Sequence, residues 1–190
     1  MKLLVLDNYD SFTYNLVHMF RSMNIDHEVY RNDKISTEEA LSFDLIILSP
    51  GPGIPSEAGN MGKIIAACAG KKPILGICLG HQAIAEYLGA KLNNMSSVYH
   101  GVKSKINILS NEEIFEGIPE EIEVGRYHSW EVVREGLPEN ITVTAEDENG
   151  TIMALSDASQ KLYGIQFHPE SVMTEYGEEM IQNFLKIAKS

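Results

Sequence analysis

Two short stretches of this chain hold residues whose types and spacing suit covalent chemistry. The first is G-I-C-L-G-H-Q, residues 76–82, in which Cys78 follows an apolar run and stands between Gly76 and Gly80. A cysteine in a G-x-C-x-G turn between a strand and a helix is the thiol counterpart of the nucleophile elbow. There a sharp turn exposes the nucleophile, and small neighbours let strand and helix approach each other. The helix that begins at this point offers the sulfur partial positive charge and free N–H groups. It also aims the backbone N–H of Leu79 toward any oxyanion formed by attack from the sulfur. The competing reading is a buried cysteine at a glycine-rich strand end.

A thiol nucleophile needs a base, and the base needs a third group to hold it. The candidates are His18, His27, His81, His100, His128 and His168, and only His168 has a carboxylate two residues away, in H-P-E at 168–170. Pro169 disfavours helix for itself and for the residue before it. In extended chain, residues i and i+2 face the same side, so Glu170 can hold one imidazole nitrogen while the other faces the sulfur. Taken alone, H-P-E reads as a turn with an exposed ion pair; paired with G-x-C-x-G it reads as a base and its orienter. His128 is the next candidate, because a Y-H-S-W strand end could face a pocket. His81 lies one helical turn after Cys78 with nothing nearby in sequence to orient it. His18 lies off the apolar face of its helix, His27 sits in a mixed polar strand, and His100 stands beside Gly101 in an expected turn.

Gln82 shares the helix face of Cys78 and carries both a donor and an acceptor for a polar substrate. The loop S-P-G-P-G-I-P, residues 49–55, is stiff and sharply turned. In it Gly51 and Gly53 permit backbone conformations and close approaches that a Cβ would block. Pro52 has no N–H to give, whereas Gly53 does, which makes it a second oxyanion donor beside Leu79; the plain alternative is a rigid surface turn. The sequence contains no His-x-x-x-His and no paired cysteines, so no metal site is expected.

These residues must be positioned by an open α/β scaffold. Apolar runs at 2–7, 27–30, 44–49 and 73–77 alternate with helix-like segments from about Asp10 to Met23 and near 59–70. Asp10 is the expected N-cap of the first. Continuous Leu/Ile/Val runs imply parallel strands buried on both faces, hence an open, mostly parallel sheet flanked by helices. In the second helix Met61, Ile64, Ile65 and Cys68 share one face, so Cys68 reads as core rather than as a reactive thiol. After about residue 90 the texture becomes β-rich, with runs at 103–109, 121–130, 140–145, 151–156 and 162–167, before a last helix at roughly 175–188. We read this half as elaboration of one domain spanning 1–190. Function in such sheets gathers at the carboxyl ends of strands.

Composition narrows the classes. The 190 residues are 44% hydrophobic and 22% charged, with no window near a membrane span, and the opening M-K-L-L-V-L-D is too short an apolar run for a signal peptide. A cytoplasmic location is expected. A net charge of −12 without a Lys/Arg cluster argues against nucleic acid as a partner, and two cysteines are too few for a disulfide scaffold.

P-G-P-G (50–53), G-I-C-L-G-H-Q (76–82) and H-P-E (168–170), in that order, resemble the motifs of class I, triad-type glutamine amidotransferases over essentially the whole chain. D-N-Y-D-S-F-T-Y-N-L (7–16) and R-Y-H-S (126–129) are similar to segments of the glutaminase subunits of anthranilate synthase and aminodeoxychorismate synthase. The resemblance implies a flavodoxin-like fold and a triad of Cys78, His168 and Glu170 that hydrolyses L-glutamine through a γ-glutamyl thioester. It implies an oxyanion hole from Gly53 and Leu79, and a glutamine site lined by Gly51, Pro52, Gly53, Leu79, Gln82, Ser129 and Trp130. Trp130 departs from the family pattern, which has leucine there, and its side-chain role is left open. The resemblance further implies that this subunit carries no cofactor and that a chorismate-using partner subunit, which needs Mg2+, receives the ammonia. A stand-alone γ-glutamyl cysteine hydrolase is the main alternative. A flavodoxin-like binding module using D-N-Y-D-S-F-T as a phosphate loop is the other, though that loop lacks a glycine-rich cradle.

Overall fold

The computed structural model describes residues 1–96, 98–110 and 113–189. Its first half alternates strand and helix: β1 (Leu3–Asp7), α1 (Thr13–Ser22), β2 (His27–Arg31), the single-turn α2 (Thr37–Ala40), β3 (Leu45–Leu48), α3 (Met61–Cys68), β4 (Ile74–Ile77) and α4 (Leu79–Tyr87). The second half runs through β5 (Leu92–Asn94), β6 (Val102–Ile108), β7 (Glu121–Arg126), β8 (Trp130–Val132), β9 (Thr142–Asp147), β10 (Ile152–Asp157) and β11 (Leu162–Ile165). It closes with α5 (Gly177–Ile187).

The main sheet has the order β2-β1-β3-β4-β11-β10-β9-β6-β7. From β2 to β11 every pairing is parallel; from β11 outward every pairing is antiparallel. The mostly parallel α/β sheet and its β-rich extension thus meet at β11. Strands β3, β4 and β11 are buried at every position, as continuous Leu/Ile runs covered on both faces require. Alternate residues of β1 enter opposite layers. Leu3 and Val5 join α1 and α5 residues such as Phe20 and Phe184, while Leu4 and Leu6 join α3 and α4 residues such as Ile64 and Ile84. Cys68 lies fully buried in the second layer, where burial pushes its thiol up.

Two local expectations are corrected. Asp10 does not cap α1: the helix starts at Thr13, and the Asp10 carboxylate instead accepts from the Phe12 N–H at 2.7 Å in a local turn. The run 121–130 is not one strand. β7 ends at Arg126, and Trp130 opens β8, which pairs with β5 in a separate two-stranded sheet. Alternation along the run is compatible with either arrangement, and only the long-range partner decides.

Candidate functional site

Because β1, β3, β4 and β11 are parallel neighbours, their carboxyl ends lie along one edge. The segment after Asp7, the Gly-Pro loop, the Cys78 turn and the H-P-E segment are therefore brought side by side.

At the turn, Cys78 has φ 53° and ψ −100°, a left-handed conformation that costs a non-glycine residue about 1–3 kcal/mol. The surroundings over-determine it. The Cys78 N–H donates to the Ile165 carbonyl at 2.9 Å, and its own carbonyl accepts from the Gln82 N–H at 3.1 Å. The flanking glycines are steric requirements. A Cβ on Gly76 would run into the Gly80 backbone, and one on Gly80 would lie 2.6 Å from the Leu48 carbonyl oxygen. Leu79 is the first residue of α4, where an N–H has no intrahelical acceptor.

His168 is 2% exposed, and its Nδ1 lies 2.7 Å from Glu170 Oε1. Its ring sits edge-on to two aromatics, Phe12 and Tyr127, each with centroids 4.8 Å away. Burial alone would discharge this imidazole. The Cys78 sulfur and the Glu170 carboxylate outweigh burial and push it up to about 10. Nε2 is buried, with no partner to meet it other than the Cys78 sulfur that raises the ring. The backbone around the imidazole is pinned as well. The His168 N–H donates to the Gly125 carbonyl, the Thr174 hydroxyl donates to the His168 carbonyl at 2.6 Å, and Gly177 has no Cβ to strike the Pro169 carbonyl.

Neither other central histidine is placed as a base. Burial pushes His81 down to about 3; its neutral ring packs on Gly164 of β11, where a Cβ would lie 2.7 Å from Nδ1. Burial, then the Arg126 charge, pushes His128 down to about 4, and both of its nitrogens are engaged, Nδ1 with the Trp130 carbonyl and Nε2 with Arg126 Nε.

The Gly-Pro loop divides its two glycines by task. Gly53 has φ +72°, whereas Gly51 is needed for close approach, since a Cβ there would lie 2.6 Å from Leu79 Cδ2. Pro52 and Gly53 are exposed. Asn8 fixes the root of the loop, its N–H donating to Ser49 Oγ at 2.9 Å and its side-chain amide to the Ser49 carbonyl at 2.8 Å. Gln82 donates through Nε2 to the Trp130 carbonyl and to Gln166 Oε1, both at 3.1 Å, so only its oxygen is left for a ligand. This narrows the expected donor-and-acceptor role. Trp130 takes part through its backbone oxygen, and Ser129 is tied to the same wall by accepting from the Met95 N–H at 2.8 Å.

The sequence assigns no site role to Asn8, Tyr127 and Gln166, and it places Phe12 only on the apolar face of the first helix. The local signals were the D-N-Y-D-S-F segment, whose asparagine and phenylalanine both reach this edge, and R-Y-H-S, which contains Tyr127. Among the described residues, no group of three or more His, Cys, Asp or Glu side chains could hold a metal ion.

The fold and this edge define a class. A family model for class-I glutamine amidotransferases matches residues 4–188, and the chain belongs to that family. It is 44% identical to the anthranilate synthase component 2 of Pseudomonas aeruginosa, over 97% of this chain and 94% of that one. It is likewise 44% identical to the aminodeoxychorismate/anthranilate synthase component 2 of Bacillus subtilis, over 97% and 95%. A crystal structure from Thermoplasma acidophilum, of a protein provisionally described as a GMP synthase subunit, superposes with TM-score 0.89 at 32% identity, covering 100% of this chain and 94% of that one.

Proposed function

We propose that this chain is the glutaminase subunit of a chorismate-using synthase, hydrolysing L-glutamine and passing ammonia to a separate synthase subunit. The observation that supports this most is a buried His168 whose Nδ1 lies 2.7 Å from Glu170 Oε1 and whose ring is pushed up by the sulfur of the strained Cys78 turn.

In this reading His168 Nε2 takes the Cys78 thiol proton, and the resulting thiolate attacks the side-chain amide carbon of glutamine. The oxyanion is met by the N–H groups of Leu79 and Gly53, which project from a helix start and a left-handed loop residue packed against each other through Gly51. His168 gives its Nε2 proton to the departing nitrogen, ammonia leaves, and a γ-glutamyl thioester remains. Deprotonated His168 then takes a proton from water, which attacks the thioester and frees glutamate and the sulfur. Glu170 holds the imidazole in register throughout.

The component 2 relatives support a synthase as acceptor, and the surface is compatible with a partner. Val172 is fully exposed two residues after Glu170, and Tyr9, Tyr14 and Tyr176 are exposed large side chains beside β1, α1 and α5. Neither a metal nor a cofactor is assigned to this subunit in the proposal. Its test is glutamate release by the purified chain, with and without chorismate and the chorismate-using subunit. Low activity alone, a rise on adding both, and loss in Cys78→Ser are expected. Activity retained by Cys78→Ser rejects the nucleophile. Full activity that ignores the partner, with a preference for γ-glutamyl peptides, selects the stand-alone hydrolase.

A further inference from the structure

We infer that Arg126 is a positioning residue which, through the ring of His128, fixes the Trp130 carbonyl and so sets Gln82 to present its oxygen to the glutamine. The inference rests on the reading above of Gln82 and Trp130 as part of the glutamine wall.

The chain of contacts is continuous and buried. Asp147 Oδ2 accepts from Arg126 Nη1 at 2.7 Å, and Arg126 Nε lies 3.1 Å from His128 Nε2. His128 Nδ1 lies 2.8 Å from the Trp130 carbonyl oxygen, which also accepts from Gln82 Nε2 at 3.1 Å. Every hydrogen position follows from one fixed point. A carbonyl oxygen only accepts, so His128 must carry its proton on Nδ1, and Gln82 must turn its nitrogen toward Trp130. A neutral imidazole protonated on Nδ1 has an acceptor at Nε2, and the Nε–H of arginine supplies the matching donor.

The same logic fixes the amide. One Nε2 hydrogen of Gln82 goes to Trp130 and the other to Gln166 Oε1. What remains is Oε1, an acceptor for an N–H of the substrate. Without Arg126, the tautomer protonated on Nε2 is free to form, which sets two acceptors, Nδ1 and the carbonyl oxygen, against each other and frees Trp130 and Gln82 to shift.

The guanidinium itself is 1% exposed, is clamped over the Tyr99 ring at 3.6 Å, and pairs with an aspartate that also accepts from the Asn149 and Thr151 N–H groups. Burial and the Arg126 charge keep His128 neutral, as the tautomer argument requires.

The test uses Arg126→Lys, which keeps a cation for Asp147 but lacks the Nε donor, and His128→Asn, which keeps an N–H for the Trp130 carbonyl without a tautomer. For R126K we expect KM for L-glutamine to rise about 5- to 10-fold, the size of one net hydrogen bond, with kcat within about two-fold. Alkylation of Cys78 by iodoacetamide should proceed at the wild-type rate, while the glutamine concentration giving half protection rises by the same factor as KM. In the H128N background, R126K should add less than about two-fold. An equal KM effect in both backgrounds, or parallel losses in kcat and alkylation, overturns the inference. Nitrogen NMR of the wild-type protein provides an arm independent of any variant: His128 protonated on Nδ1 supports the chain of contacts, and His128 protonated on Nε2 rejects it. Failure of the underlying reading shows separately, as wild-type protein that does not hydrolyse glutamine or C78S protein that does.

Discussion

Gly80→Ala tests whether the sharp turn at Cys78 depends on the absent side chain. The new Cβ would lie 2.6 Å from the Leu48 carbonyl oxygen and 2.7 Å from Leu48 Cβ, against 3.4 Å for the start of ordinary contact. The first turn of α4 must therefore move from β3 by roughly 0.8 Å, the difference between 3.4 and 2.6 Å. That turn carries Cys78 and Leu79 and presses Gly76 on its other side, so the shift passes directly to the sulfur and to the Leu79 N–H, the proposed oxyanion donor. Misplacement by about 1 Å costs on the order of 10²-fold in rate, and overpacking costs about 1–3 kcal/mol of stability. We expect kcat/KM for glutamine to fall by about 10²-fold while the protein remains folded, with a lowered urea midpoint. Gly62→Ala is the matched control. Gly62 lies in α3 with nothing within 4 Å of its virtual Cβ, so alanine there should raise stability by about 0.5–1 kcal/mol and leave kinetics unchanged. Wild-type kcat/KM in folded G80A protein would refute the steric account of the turn.

Three further outcomes follow from the same geometry. His168→Ala should lower kcat by about 10²- to 10⁴-fold, and Glu170→Gln by less, because it removes orientation rather than the proton carrier; steady-state kinetics giving the reverse order would undo the assignment. Cys78 contributes to raising His168, so Cys78→Ala should move the His168 midpoint in an NMR titration downward from about 10. The stability that His168 contributes is present below its ordinary value of 6.5 and lost as pH rises toward 10. An unmoved midpoint in C78A would show that the sulfur does not bias the ring. His81 and His128 are pushed down to about 3 and about 4, so the unfolded chain takes up protons below pH 6.5 that the folded chain refuses. Stability should fall by about 1.4 kcal/mol per pH unit for each, down to those values. Urea midpoints should show the slope lessened by about that amount in H128N, and an unchanged slope contradicts a neutral, buried His128.

The parts of the site legible in sequence were those encoded over short spans. G-x-C-x-G announces its own turn, and H-P-E places a carboxylate beside a histidine by extended-chain geometry. The Leu/Ile runs that became β1, β3, β4 and β11 imply a shared edge. What escaped depends on neighbours far away in the chain. Asp10 has the right residue type for a cap, but the helix begins after Phe12. The run 121–130 alternates well enough for one strand, and only pairing with β5 reveals that it changes sheets. His128 looked like a base until Arg126 and the Trp130 carbonyl took both of its nitrogens, and Gln82 lost its donor to the same carbonyl. Spacing can name the polar groups, but it cannot say which of their hydrogen bonds the fold has already used.

The H-P-E segment is pressed beneath the start of α5, where Gly177 meets the Pro169 carbonyl, and it lies 90 residues after Cys78 in the sequence. This sets an order of events during synthesis, because chains emerge N-terminus first. Strands β1 to β4 and the helix behind Cys78 are all available before β11 exists, so a nascent chain carries the thiol through 90 further residues before His168 is made. The pair forms only when β11 docks alongside β4, and the final helix then seats over it. A chain cut short before Gly177 would keep Cys78, His168 and Glu170 and lack only the helix that seats over Pro169.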